Sequence, residues 1–355
     1  MKRNLTVILF SVTIVAMGTL LFYLLSIPDL MTTSRTSDFS GREATLGKPF
    51  DATDVPPGNY SGLVRLSGNR YALVSDKADH GGYFVFDIDI DNEGNITSVT
   101  NRGFRKLEEE NLDEEATAYD SDHHQLYIGR EKTSEIIRYD ILNGQQTGQA
   151  VVTDYRDKGY SNRTIESLTY DKRYMSVFTI NEGPLKGDNG LVLSLLEYTP
   201  NLTLKKRYSY ILDLPLDDSP TIDDTHAFGV AELLSLGDGT LLVLEREFKV
   251  ADVKVGSWVM NKIFRITPGH PAKTFVTGWR TFWVLPMRHW PITRACVWDP
   301  SCPTGARSSS SVPTAKTDTW VSCAIGSERS SCRAASDGYH EFLRMAVMRP
   351  LEWLS

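Results

Sequence analysis

The sequence predicts an all-β fold: a β-propeller of about five or six blades, the last one missing or scrambled, carried on an N-terminal transmembrane helix. Three observations predict it. A unit of two short strands recurs about every fifty residues through the middle of the chain. After residue 30 no segment shows convincing amphipathic helical periodicity. An uncharged apolar run stands at the N-terminus.

Lys2 and Arg3 precede a stretch from Asn4 to Pro28 that carries no charge and is rich in Leu, Ile, Val, Phe and Met. That length suffices to cross a hydrocarbon core of about 30 Å. The positive charges on its N-terminal side keep that end in the cytoplasm and export everything after Asp29. A cleaved signal peptide is the alternative, but no convincing small-x-small cleavage site precedes Pro28. The preferred reading is therefore residues 1–30 as a membrane anchor, with the rest of the chain facing the periplasm or the cell exterior. No Cys follows the run, which argues against a lipoprotein. Residues 31–50 are rich in Ser and Thr and read as a linker.

Residues 51–281 carry the repeat. Its first copy is YSGLVRL (60–66), a turn at Ser67-Gly68-Asn69, and RYALVSD (70–76). The second is EEATAYD (114–120) with QLYIGRE (125–131). The third is IESLTYD (165–171) with YMSVFTINE (174–182). The fourth is VAELLSL (230–236), a turn at Gly237-Asp238-Gly239, and TLLVLERE (240–247). Taking Ser61, Glu115, Glu166 and Glu232 as equivalent, the spacings are 54, 51 and 66 residues. Propeller blades run at roughly 40–50 residues, so loop insertions account for the excess. Further strands at 81–90, 134–142, 191–199, 206–214 and 257–267 complete four-stranded antiparallel blades. A pair of β-sandwiches would not explain a repeat of this period.

The chain has 355 residues, 41% of them hydrophobic and 10% aromatic, so it can bury a sizeable core. Its net charge of −7 supplies no basic stripe, which excludes the usual nucleic-acid binder.

In a propeller the innermost strand of each blade lines a central channel, and equivalent positions converge on one end of it. The repeat opens with Ser61, Glu115, Glu166 and Glu232. Its second strands end in Asp76, Arg130-Glu131, Asn181-Glu182 and Glu245-Arg246. Glu115, Glu166 and Glu232 are the expected metal ligands, since convergent carboxylates suit Ca²⁺, a hard ion taking six to eight oxygens. Together with Arg246 they are also the expected catalytic groups. Ser61, Asp76, Arg130, Glu131, Glu182 and Glu245 are expected to bind the ligand. Bound Ca²⁺ and Arg would hold and polarise a phosphate for attack by water. The competing reading is structural: such carboxylates also tie blades together by accepting backbone hydrogen bonds.

Other signals are weaker. Asp87, Asp89, Asp91 and Glu93 lie in a DIDIDNEGN run that lacks the EF-hand order. Alternating Asp residues there read as the solvent side of an edge strand. His226 reads as a loop hydrogen-bonder or an acid/base, and His123-His124 as a solvated turn. No G-x-S-x-G, Walker, Rossmann or zinc motif occurs.

The stretches NYSGLVRLSGNRYALVSDKA, DEEATAYD, IESLTYD with FTINEGPLKGDNG, and THAFGVAELLSLGDGTLLVLEREF resemble the bacterial family described by the esterase-like activity of phytase, over roughly residues 55–281. The resemblance implies a β-propeller and a hydrolase acting on a small-molecule ester or phosphate ester. Fold alone does not fix chemistry. A non-catalytic envelope propeller that binds a ligand or a protein is the alternative.

Beyond Thr281 the character changes. All four cysteines (Cys296, Cys302, Cys323, Cys332) and five of seven tryptophans lie there, and no last repeat is visible. Read from the third base of each codon, Trp290-Pro291 must give Ala and Trp298-Asp299 must give Gly. The remaining pairs permit ANYEGMCLGPKLPDGRAVLLLGADSQ, which has the grammar of the repeat, although those residues are permitted rather than forced. We therefore read 282–355 as an aberrant, frameshifted tail, with the shift between about Gly278 and Trp290. A natural, divergent Ser/Cys-rich tail is the other reading. A propeller without its last blade exposes sheet edges, so the tail is expected to be poorly ordered and the printed chain less stable than its full-length relatives; an inactive truncated product is a further alternative.

Overall fold

Four antiparallel sheets follow one another along the chain in the computed structural model, each built from consecutive strands. The first holds β2 (Tyr60–Ser67), β3 (Arg70–Ser75), β4 (Gly82–Ile90) and β5 (Ile96–Lys106). The second holds β6 (Glu114–Asp120), β7 (Gln125–Arg130), β8 (Glu135–Asp140) and β9 (Gln146–Val151). The third holds β10 (Ile165–Asp171), β11 (Ser176–Asn181), β12 (Val192–Tyr198) and β13 (Leu204–Ile211). The fourth holds β14 (His226–Ser235), β15 (Leu241–Lys249), β16 (Trp258–Ile266) and β17 (Lys273–Phe282), extended by β18 (Arg294–Cys296). A separate two-stranded sheet pairs β1 (Thr45–Asp51) with β19 (Thr319–Ala324). The one described helix, Thr153–Lys158, links the second and third blades.

The structure describes residues 45–51, 55–56, 59–92, 95–188, 190–216, 222, 225–251, 256–282, 294–296 and 319–324. Among them the all-β propeller shows four blades. The expected count of five or six, the N-terminal helix and most of the 282–355 tail lie outside the described residues. No described helix is long and apolar enough to cross a membrane. Strand β1 begins inside the stretch read as a linker, and β18 and β19 fall inside the stretch read as aberrant.

Alternation along each strand builds the core, because successive side chains point to opposite faces. In β7, Leu126 and Ile128 face blade 1 and pack with Ala72, Val74 and Val85. Tyr127 between them faces blade 3 and packs with Ile165, Leu168 and Val177. In β11, Phe178 and Ile180 turn the other way, onto Phe228, Val230 and Leu241 of blade 4. Each such side chain, buried fully, contributes about 1.5–3 kcal/mol of transfer free energy.

Two glycines let the inner strands approach. A Cβ on Gly62 would stand 2.6 Å from the Thr117 amide nitrogen, and one on Gly229 would overlap the Glu182 carbonyl oxygen. Side-by-side inner strands are what bring the ends of β2, β6, β10 and β14 to one place.

Candidate functional site

Each inner strand is bulged near its start. In β6, Glu114 pairs with Arg130 and Ala116 with Gly129, which leaves Glu115 as the extra residue. In β10, Ile165 pairs with Asn181 and Ser167 with Ile180, which leaves Glu166. In β14, Val230 pairs with Glu245 and Glu232 with Leu244, so the extra residue is Ala231. In β2 the irregularity lies between Tyr60 and Leu63 and contains Ser61 and Gly62. A bulge re-aims a side chain out of the sheet's alternation. The equivalent set is therefore Ser61, Glu115, Glu166 and Ala231. Glu232 belongs one residue further on, with Ala116 and Ser167. It is buried, and its Oε1 accepts the Leu233 amide at 3.0 Å.

The second strands supply the rest. Tyr60 pairs with Ser75, so Ser75, Arg130, Asn181 and Glu245 are equivalent, and Asp76, Glu131, Glu182 and Arg246 follow them. Neighbouring residues on a strand point to opposite sides, so these two sets part company. Arg130 donates from Nη2 to Tyr139 Oη at 2.9 Å and lies 3.7 Å from Glu114, within its own blade. Glu245 accepts from Tyr210 Oη at 2.6 Å, Lys273 Nζ at 2.5 Å and the Asp213 amide at 3.0 Å. Both act as structural ties, and neither joins the acidic cluster below.

One carboxylate oxygen each from Glu115, Glu131 and Glu166 lies within 4.8 Å of the others, and all three residues are buried. Burial, then the charge of Glu166, pushes the Glu131 carboxyl up to about 9. The Thr164 amide donates to its Oε1 at 2.6 Å, while its buried Oε2 accepts no hydrogen bond. Glu182 is raised well above the ordinary carboxylate range by burial first, then by Glu166 and Glu131. Arg163 and Arg246 pull it back. Glu115 also belongs to a second trio, with Asp76 and Asp113, again within 4.8 Å.

Main-chain bonds fix this end of the channel. Glu131 donates its amide to Asp113 O at 2.8 Å, Glu182 to Thr164 O at 3.0 Å, and Val230 to Glu182 O at 2.9 Å. Arg246 lines a recess with Leu212, Phe228, Met260 and Lys262. Beside it, the buried His226 Nε2 meets Glu247 Oε1 at 3.1 Å, and Lys262 Nζ donates to Asp213 Oδ2 at 2.7 Å.

Asp113 and Arg163 were not singled out in the sequence, because both lie just before an inner strand and outside the repeated segments. The Asp run of β4 finds its partners locally: Asp87 pairs with Arg70 and Arg102, and Asp89 accepts from Asn69 and Ser98. Contrary to the solvent-side reading, Asp87 is buried. Glu93 lies outside the described residues.

A family model described as phytase-like, esterase-like activity of phytase, matches residues 55–278. No curated protein matches the chain. Solved structures similar to it include hydrazine synthase of Kuenenia stuttgartiensis, at 10% identity over 66% of this chain and 64% of that chain, TM-score 0.34. The Cps50 (Swd1) β-propeller domain of Myceliophteria thermophila shares 11% identity over 62% of this chain and 87% of that one, TM-score 0.29. A nidogen/laminin complex shares 10% over 64% and 74%, TM-score 0.35. The chain thus spans 64% of the length of the hydrazine synthase chain.

Proposed function

This chain belongs to the phytase-like family, described by the esterase-like activity of phytase, and from that premise we propose that it hydrolyses a phosphate ester at the acidic end of its channel with help from a bound divalent cation. The observation that carries the proposal is the trio of Glu115, Glu131 and Glu166, with oxygens within 4.8 Å of one another. Ca²⁺ binds oxygens at about 2.3–2.6 Å, so ligand oxygens around one ion stand at most about 5 Å apart. The trio meets that limit. The oxygen of Glu131 that accepts no hydrogen bond is the kind of buried acceptor that a cation satisfies.

When bound, the cation would neutralise ester oxygens and polarise phosphorus toward water. The chain's own groups would do the rest. Arg246 would donate to non-bridging phosphate oxygens, where a guanidinium fits well. Glu182, whose carboxyl is raised by burial and then by Glu166 and Glu131, would give its proton to the departing alkoxide. The water oxygen bonds to phosphorus, the ester P–O bond breaks and the alcohol leaves. The attacking water loses its second proton to solvent and the Glu182 carboxylate regains one from solvent, which balances the step.

The run from Asn4 to Pro28 behind Lys2 and Arg3 supports placing this propeller outside the cytoplasmic membrane, anchored to it. The bond from the Thr164 amide to Glu131 supports a second reading, a non-catalytic propeller in which these carboxylates tie blades together. Turnover of p-nitrophenyl phosphate with Ca²⁺ and with chelator separates the two. A catalyst shows cation-dependent release, and a binding propeller shows none under either condition.

A further inference from the structure

We infer that the channel end takes two divalent cations rather than one, with Glu115 shared between them. The inference rests on the proposed function for its inner ion and adds an outer one. Glu115 is common to two trios that each bring three carboxylate oxygens within 4.8 Å: Glu115, Glu131 and Glu166 on the inner side, Asp76, Asp113 and Glu115 on the outer. A carboxylate has two oxygens and about four lone-pair directions, so a shared Glu can serve two ions.

The outer trio is built, not incidental. Asn111 spans it: its Nδ2 donates to Ser75 O at 2.7 Å, beside Asp76, and its Oδ1 accepts the Asp113 amide at 2.8 Å. Asp113 is held at φ 64°, and its carbonyl accepts the Glu131 amide at 2.8 Å. The loop before β6 therefore couples both trios through one backbone. Independent of the clustering, Asp76 has a side chain only 8% exposed, and its buried Oδ1 accepts no hydrogen bond. That oxygen points to a ligand the chain does not itself provide.

Lys77 partly neutralises the outer trio. Its ammonium lies 2.5 Å from Asp76 Oδ2, yet its side chain is 63% exposed. It is a resident monocation on a flexible stem that a divalent ion can displace into solvent. All donors of both trios are carboxylate oxygens, which favours Ca²⁺ or another hard cation over zinc or copper. Two cations sharing a ligand can clamp two oxygens of one tetrahedral group. This favours a phosphate monoester over a carboxylic ester, whose single carbonyl oxygen would engage one ion.

The test is calcium titration of the chelator-stripped full-length chain in detergent by isothermal calorimetry. The expected stoichiometry is two ions for the parent chain and one for Asp113→Asn, a substitution that keeps the left-handed backbone accessible. Glu115→Gln should weaken both sites at least tenfold. Lys77→Met should bind the outer ion more tightly, and circular dichroism confirms that each variant folds. One ion in both the parent and Asp113→Asn overturns the second site and leaves the proposed function standing. No ion in the parent overturns both. Two ions in Asp113→Asn, or one site left unchanged by Glu115→Gln, overturns the shared arrangement.

Discussion

Glu131 and Arg246 occupy the same register position in their blades, each following the residue paired with the start of its inner strand, Arg130 opposite Glu114 and Glu245 opposite Val230. The charge reverses between them. Asp76, Glu131 and Glu182 present carboxylates from blades 1 to 3, and blade 4 presents a guanidinium. The fourth blade thus sets one group that only donates hydrogen bonds among three carboxyl groups.

The pH dependence of stability follows from Glu131. Its carboxyl is raised from 4.5 to about 9 in the fold, so between those values the native state holds a proton that the unfolded state has lost. Stability then falls as pH rises across that window. Glu114, pushed up to about 7 by burial against the opposing Gly82 amide and Arg130, adds to the fall in its lower part. Thermal melts in chelator should show a lower Tm at pH 9 than at pH 5. Calcium should restore Tm most at high pH, where the carboxyl must ionise to bind it, and Glu131→Gln should flatten the chelator profile. A chelator profile that rises with pH would contradict the assignment.

Gly229→Ala tests the close approach of β14 to blade 3. The new methyl would overlap the Glu182 carbonyl oxygen, a backbone atom already bonded to the Val230 amide. Overpacking of this kind costs about 1–3 kcal/mol, which in a domain of this size lowers Tm by roughly 2–12 °C. Gly187→Ala, a position with open space around it but φ 88°, should cost only about 1 kcal/mol from backbone strain. Equal losses at the two sites would count against the inter-blade contact.

The coding DNA tests the tail. If the −1 frame past about codon 278 encodes the restored repeat, the chain in that frame should express as a more stable, cooperatively unfolding protein. A printed frame that folds equally well would make the Ser/Cys-rich segment a genuine feature.

The repeat was legible because strand alternation and turn residues sit in the sequence itself. EEATAYD and IESLTYD are β6 and β10 residue for residue. The bulges were not legible. Matching acid to acid placed Glu232 beside Glu115 and Glu166, whereas backbone pairing puts Ala231 there. Arg130 and Glu245 were grouped with their neighbours Glu131 and Arg246, although adjacent strand positions cannot face one channel together. Asp113 escaped notice because its role comes from a left-handed loop residue that no periodicity reports.

The central claim, cation-assisted phosphate ester hydrolysis at the carboxylate trio, is tested most directly by p-nitrophenyl phosphate turnover of the parent chain, Glu166→Gln and Arg246→Ala, each with Ca²⁺ and with chelator. The prediction is turnover by the parent only with Ca²⁺, and at least about a hundredfold loss in kcat/KM for either variant. Parent turnover that is indifferent to the chelator, or full activity in Glu166→Gln, would contradict it.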